Sequence, residues 1–269
     1  MRNVCKCNMK SIDNIMLRPK HIIIDGLDIR YYQSDGISQE GTLVFLHGWG
    51  SQAGHFARTL EKSGNFVALD LPGFGGSQRP NTAWSLTEYR QFLRAFLIKF
   101  NIRQPVLVGH SFGGSIAIKY AARYGEDVKK LILIGSAGIR RKTPKKFLYL
   151  VAAKILKVIF SFPGLKKMRE NMRHRFYVAI DSEDYLVAGP MTETYKKIIS
   201  EDLEEEMKKI NVPTTLIWGE DDDAVPLADG RLTEKLIKRS RLFVISHAGH
   251  YVFLDQEKEF DEIFLKSLS

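Results

Sequence analysis

The chain has 269 residues, 44% hydrophobic and 26% charged, which is ordinary globular usage and excludes collagen-like, low-complexity and disordered proteins. Its length suits one α/β domain carrying an insertion. The net charge of +9 is local: between Ile139 and Arg175 seven lysines and five arginines meet a single acid, Glu170, and such an excess without a base-reading motif excludes a general nucleic-acid binder.

Residues 1–18 contain few apolar side chains and no period, as expected of a loosely ordered leader. Cys5 and Cys7 lack the second ligand pair of a zinc site, so no metal and no cofactor are expected. The start has no apolar signal core, and no run reaches the length of a membrane span, which makes a cytoplasmic protein the expectation.

From residue 20 onward short apolar runs alternate with helical patterns, the signature of a mostly parallel sheet flanked by helices. His21–Asp25 and Leu27–Tyr32 read as a hairpin across Gly26. Leu43–Leu46, Phe66–Leu69, Val106–Val108, Leu131–Ile134, Thr215–Trp218 and Leu242–Ile245 read as strands buried on both faces. Leu86–Lys99, Phe112–Tyr124, Leu227–Lys238 and Phe260–Leu268 carry apolar residues at helical spacing.

The rhythm breaks after Ile134. From 139 to 206 the pattern is helical, punctuated by Pro144, Pro163-Gly164 and Gly189-Pro190. The expected organisation is a core over 19–138 and 207–269 with a helical cap over 139–206. Within the cap, Phe147, Leu148, Val151, Ala152, Ile155, Leu156 and Ile159 form one helical stripe, and Lys145, Lys146, Lys154 and Lys157 form much of the remainder. That pattern fits a lid with solvated lysines, and it also fits weak contact with an anionic membrane surface.

Gly109-His110-Ser111-Phe112-Gly113 has the form G-x-S-x-G, between a buried strand and an amphipathic helix. A nucleophile elbow needs this context: the serine occupies a strained turn, and the flanking glycines let strand and helix approach. A serine hydroxyl needs a base. Of seven histidines His250 is best placed, in the loop between the strand Leu242–Ile245 and the last helix; His247 competes from the same loop. His47, beside Gly48, reads as bonding its own loop, and His110 adjoins the nucleophile and so points elsewhere. An acid belongs between serine and histidine in chain order, and Glu220-Asp221-Asp222-Asp223 follows a strand there. For the oxyanion, the amide after the nucleophile, Phe112, and that of Trp49 in the loop His47-Gly48-Trp49-Gly50 are the expected donors.

Taken together these motifs resemble the α/β-hydrolase superfamily from about Ile22 to Leu268, apart from the insertion. The likeness is carried by His47-Gly48-Trp49-Gly50, by Asp70-Leu71-Pro72-Gly73-Phe74-Gly75-Gly76-Ser77, by the elbow, by Trp218-Gly219 to Val225-Pro226 and by Ala248-Gly249-His250. The family spacing, with the acid three residues after the glycine and four before the proline, selects Asp222. The resemblance implies a serine-nucleophile, capped branch, because Ser111 argues against the branches that use an aspartate. It leaves open esters, lactones, carbon–carbon bonds and cofactor-free perhydrolysis, and a ligand-binding protein that has kept the scaffold. The expected activity is hydrolysis of a small-molecule carboxylic ester or lactone through an acyl-enzyme on Ser111.

Overall fold

The structure, a computed structural model, describes residues 18–140 and 188–268. Eight strands form one sheet: β1 (Lys20–Ile24), β2 (Leu27–Gln33), β3 (Leu43–Leu46), β4 (Phe66–Leu69), β5 (Val106–His110), β6 (Lys130–Ile134), β7 (Thr214–Gly219) and β8 (Ser240–Ile245). Their order is β1-β2-β4-β3-β5-β6-β7-β8. From β4 through β8 in that order all neighbours are parallel, whereas β1 and β2 join as an antiparallel edge. The chain is thus a mostly parallel α/β sheet flanked by helices, as expected.

The helices are α1 (Ala57–Ser63), α2 (Leu86–Lys99), α3 (Phe112–Tyr124), α4 (Thr192–Ser200), α5 (Glu204–Met207), α6 (Leu227–Leu236), α7 (Val252–Asp255) and α8 (Glu257–Leu268). β3 shows why both faces must be covered. Val44 and Leu46 join the core under α2 and α3, with Tyr89, Phe92 and Ile116, while Leu43 and Phe45 join the opposite core, with Phe56, Leu60, Phe260 and Phe264. Alternation along a strand therefore divides a continuous apolar run between two layers. A capping box starts α2, with the Ser85 hydroxyl accepting from Thr87 N–H and Glu88 reaching back to the Ser85 amide.

Several element boundaries differ from the sequence expectation. Asp25 lies in the hairpin turn rather than in β1, with φ 49° beside Gly26 at φ 80°; both centres of such a tight turn need positive φ. β5 continues through Gly109 and His110, which pair with Leu133 and Ile134 although the apolar run has stopped. α6 ends at Leu236 because Ile237 is already extended (φ −89°, ψ 107°). α1 and the four-residue α7 were not expected.

Most of the segment expected to form the cap, 141–187, lies outside the described residues. So do the stripe from Phe147 to Ile159, its lysines, and residues 1–17 with Cys5 and Cys7. The described remainder is a short turn over Gly189–Met191, then α4 and α5, the last running one residue past the expected boundary of 206. It is fixed to the core: Trp84 N–H donates to Thr194 Oγ1 at 3.1 Å, Leu86 N–H to Glu201 Oε1 at 2.9 Å, and Lys119 pairs with Glu201. Among the described residues no helix is long and apolar enough to cross a membrane.

Candidate active site

The loops that leave the C-terminal ends of β3, β5, β6, β7 and β8 carry the residues singled out above, where a parallel sheet offers its binding crevice. Ser111 occupies the turn between β5 and α3 at φ 51°, ψ −115°, a conformation that only a well-braced backbone retains. The bracing is visible. Ser111 N–H donates to Ile134 O at 3.0 Å, and its carbonyl accepts from Gly114 N–H at 3.0 Å and Ala137 N–H at 3.2 Å. A Cβ on Gly109 would stand 2.5 Å from Gly114 Cα, and one on Gly114 would stand 2.6 Å from Ser136 Cβ. The glycines are needed for contact between strand, turn and helix.

Asp222 follows β7 with its side chain fully buried. Its Oδ1 accepts from the amides of Ala224 and Val225 at 3.0 and 2.8 Å, and its Oδ2 lies 2.9 Å from His250 Nδ1. Trp218 pins the same loop by donating its indole N–H to Val225 O at 2.9 Å. In the neutral imidazole, an Nδ1–H directed at the carboxylate places the lone pair on Nε2, the arrangement a general base requires. Gly135, at φ 46° after β6, makes room for the pair: a Cβ there would approach Asp222 Oδ2 at 3.1 Å and His250 Nδ1 at 3.2 Å. The neighbouring acids Glu220, Asp221 and Asp223 are exposed, as is His247.

On the other side of Ser111 stands the loop after β3. His47 is buried and bridges two backbones, donating from Nδ1 to Gly48 O at 2.7 Å and accepting Leu71 N–H at Nε2 at 2.9 Å. Burial pushes its pKa down to about 4, so it serves as a neutral brace. Asp70, also buried, holds the adjoining loop through Arg30 Nε at 2.6 Å, Ala53 N–H at 2.8 Å and Gly76 N–H at 2.8 Å. Among the described residues neither the Trp49 nor the Phe112 amide has a protein acceptor. Gly48 brings that loop against the elbow, since a Cβ on it would lie 3.3 Å from Ser111 Cβ.

A profile of the alpha/beta hydrolase fold matches residues 41–257, which spans Ser111, Asp222, His250 and the loop after β3. The chain belongs to the α/β-hydrolase fold family. Similar proteins include the uncharacterized hydrolase YugF of Bacillus subtilis, 28% identical and covering 87% of this chain and 91% of that one. The monoacylglycerol lipase ABHD6 of Bos taurus is 26% identical, covering 85% of this chain and 75% of that protein. Among solved structures, the esterase EaEST from Exiguobacterium antarcticum superposes with a TM-score of 0.70 at 24% identity, covering 93% and 99% of the two chains, which speaks to the fold.

Two features of this hydrolase site were not foreseen. Tyr195, on α4, sits 4.9 Å from the Trp49 ring, which also meets Phe74 at 4.8 Å and Phe112 at 5.6 Å. Tyr195 thus joins Trp49, Phe74 and Phe112 in one aromatic cluster, and no residue pattern in the sequence links positions 49 and 195. His110, expected to point away from the nucleophile, is buried against His250 with ring centroids 4.7 Å apart, a contact the sequence does not signal. Its neighbour in sequence is Ser111, and its neighbour in space is the histidine 140 positions later. Among the described residues no three ligating side chains gather where a metal ion would bind.

Proposed function

We propose that this hydrolase cleaves carboxylic esters through an acyl-enzyme on Ser111, with His250 as general base, Asp222 as its orienting acid and the Trp49 and Phe112 amides as the oxyanion hole. The observation that carries the reading is the buried Asp222 carboxylate 2.9 Å from His250 Nδ1, on loops that converge on a serine held at positive φ. Ser111 Oγ would attack the acyl carbon as His250 Nε2 takes its proton. The two amides would hold the oxyanion, worth on the order of 3 kcal/mol for each donor. Collapse breaks the ester bond, and His250 returns the proton to the departing alkoxide. Water, deprotonated by the same nitrogen, then attacks the acyl carbon, the bond from that carbon to Oγ breaks to release the acid, and His250 returns the proton to Ser111 Oγ.

The lipase among its relatives favours an ester, and a lactone fits the same chemistry as an ester closed on itself. The substrate class is a small molecule with an apolar acyl group, suited to the aromatic cluster of Trp49, Phe74 and Tyr195. Residues 139 to 206 are proposed to form the cap over this face. The test is fluorophosphonate labelling together with a panel of esters, lactones and a cleavable β-diketone. Wild type should label and hydrolyse esters, and Ser111→Ala should lose both, with turnover down by at least about a thousandfold. Undiminished turnover in Ser111→Ala would end the serine mechanism, and selective cleavage of the diketone would move the reading to carbon–carbon bonds.

A further inference from the structure

His110 ends β5, one residue before the nucleophile, and is 2% exposed. Its Nε2 lies 3.0 Å from the carbonyl oxygen of His250, so Nε2 is the protonated, donating nitrogen and Nδ1 carries no proton in the neutral ring. The Nδ1 side faces the loop after β3, where a Cβ on Gly48 would come within 3.0 Å of it. Phe253 meets the ring edge-on at 5.2 Å and Tyr251 lies 5.4 Å away, which fixes its plane. One imidazole at the end of β5 therefore lies between the loop after β3 and the His250 loop.

The backbone of the His250 loop is held from two other directions. Gly249 N–H donates to Asp255 Oδ2 at 2.8 Å, and Ala248 O accepts from Asp221 N–H at 2.9 Å. Both bonds tie the loop to its own helix and to the acid loop, and neither ties it to the serine. The His110 bond does so. Since residues 110 and 111 share a peptide bond, the base is referenced to the nucleophile through one side chain.

We propose that His110 is a positioning residue that sets His250 relative to Ser111 by donating from Nε2 to the His250 carbonyl. The inference rests on the serine-hydrolase reading for its consequence in catalysis, and on the hydrogen bond alone for its consequence in structure. Burial, with the His250 ring nearby, pushes the His110 pKa down to about 3, so the donor stays uncharged while His250 takes up and returns protons. A second imidazolium so close would oppose protonation of the base. A buried histidine that merely fills space would instead be replaceable by an apolar side chain of similar volume.

The experiment compares wild type, His110→Leu and His110→Gln, the last keeping an N–H donor long enough to reach the carbonyl. Thermal unfolding establishes that each is folded, and His110→Asn, polar but too short, replaces the leucine variant if that one is not. On p-nitrophenyl butyrate, His110→Leu should lower kcat by about 10- to 100-fold while KM moves by less than about threefold, and His110→Gln should recover most of the loss. The downfield Nδ1 proton resonance of His250 should shift or broaden in His110→Leu and return in His110→Gln. Full kcat and an unmoved resonance in folded His110→Leu would overturn the proposal. So would an equal kcat loss in His110→Gln. Failure of the wild type to label with a fluorophosphonate would overturn the hydrolase reading instead, and the His250 resonance would still decide whether His110 positions that loop.

Discussion

A Cβ on Gly113 would stand 2.5 Å from the carbonyl carbon of Leu46, and the backbone of β3 has nowhere to move because it lies between β4 and β5. Gly113→Ala should therefore prise α3 from the sheet and cost roughly 3 kcal/mol or more, the upper end of overpacking penalties. Gly50→Ala is the control: φ is 67° there but nothing lies within 4 Å, so only backbone strain of about 1 kcal/mol is expected. Urea denaturation of the two variants should separate them clearly, and equal midpoints would mean that the elbow is looser than its geometry.

The four acids after β7 differ in what they touch. Asp222 is buried on His250 and two amides, while Asp221 and Asp223 are exposed. Asp222→Asn should let the imidazole take the wrong tautomer and lower kcat by up to about ten-thousandfold. Asp221→Asn and Asp223→Asn should stay within about threefold of wild type, since neither alters a group of the transition state. Steady-state kinetics on one chromogenic ester resolves the three, and the largest loss at either neighbour would reassign the acid.

Ser111 holds φ 51° because the elbow demands it, and a residue with a Cβ resists that conformation. Ser111→Gly and Ser111→Ala should both be inactive, yet the glycine variant should be more stable than the alanine variant by about 1 kcal/mol, because only alanine retains the strain. Chemical denaturation measures the difference. A less stable glycine variant would show that chain entropy outweighs the strain at this turn.

The parts of this molecule legible in the sequence are those set by local pattern. β3 and β4 begin and end where the apolar runs do, since burial on both faces defines them, and α2 and α3 match their helical patterns with local signals, Ser85 and the elbow, at their starts. The loop of His250 is legible from its place between a strand and the last helix, whereas within the acidic run only the family resemblance singles out Asp222. What escaped is tertiary in origin. The α7 turn has only four residues and no period to detect, and the reach of Tyr195 to Trp49 spans an insertion whose geometry no motif encodes. That His110 points to another side than Ser111 follows from alternation at a strand end, but no local pattern shows that His250 occupies that side.

Two neutral histidines in the core make stability depend on pH in a definite direction. Burial holds His47 at about 4 and His110 at about 3, below the ordinary 6.5, and His55 is also lowered by partial burial. In the unfolded chain all three bind protons near pH 6.5, so on acidification the unfolded state gains protons that the folded state refuses. Their contribution is fully present above about pH 6.5 and is lost as the pH falls toward 4 for His47 and toward 3 for His110, by on the order of 5 to 10 kcal/mol for the buried pair together. Glu88 acts later: hydrogen bonds from Ser85 lower its pKa, so its share is lost only below its ordinary 4.5. Urea midpoints should therefore decline between pH 7 and 5, before the carboxylates contribute. His47→Gln, which cannot titrate, should flatten that decline even if it lowers stability at every pH. A midpoint constant from pH 7 to 5 in the wild type would mean that these rings are charged, or reachable by water, in the folded protein.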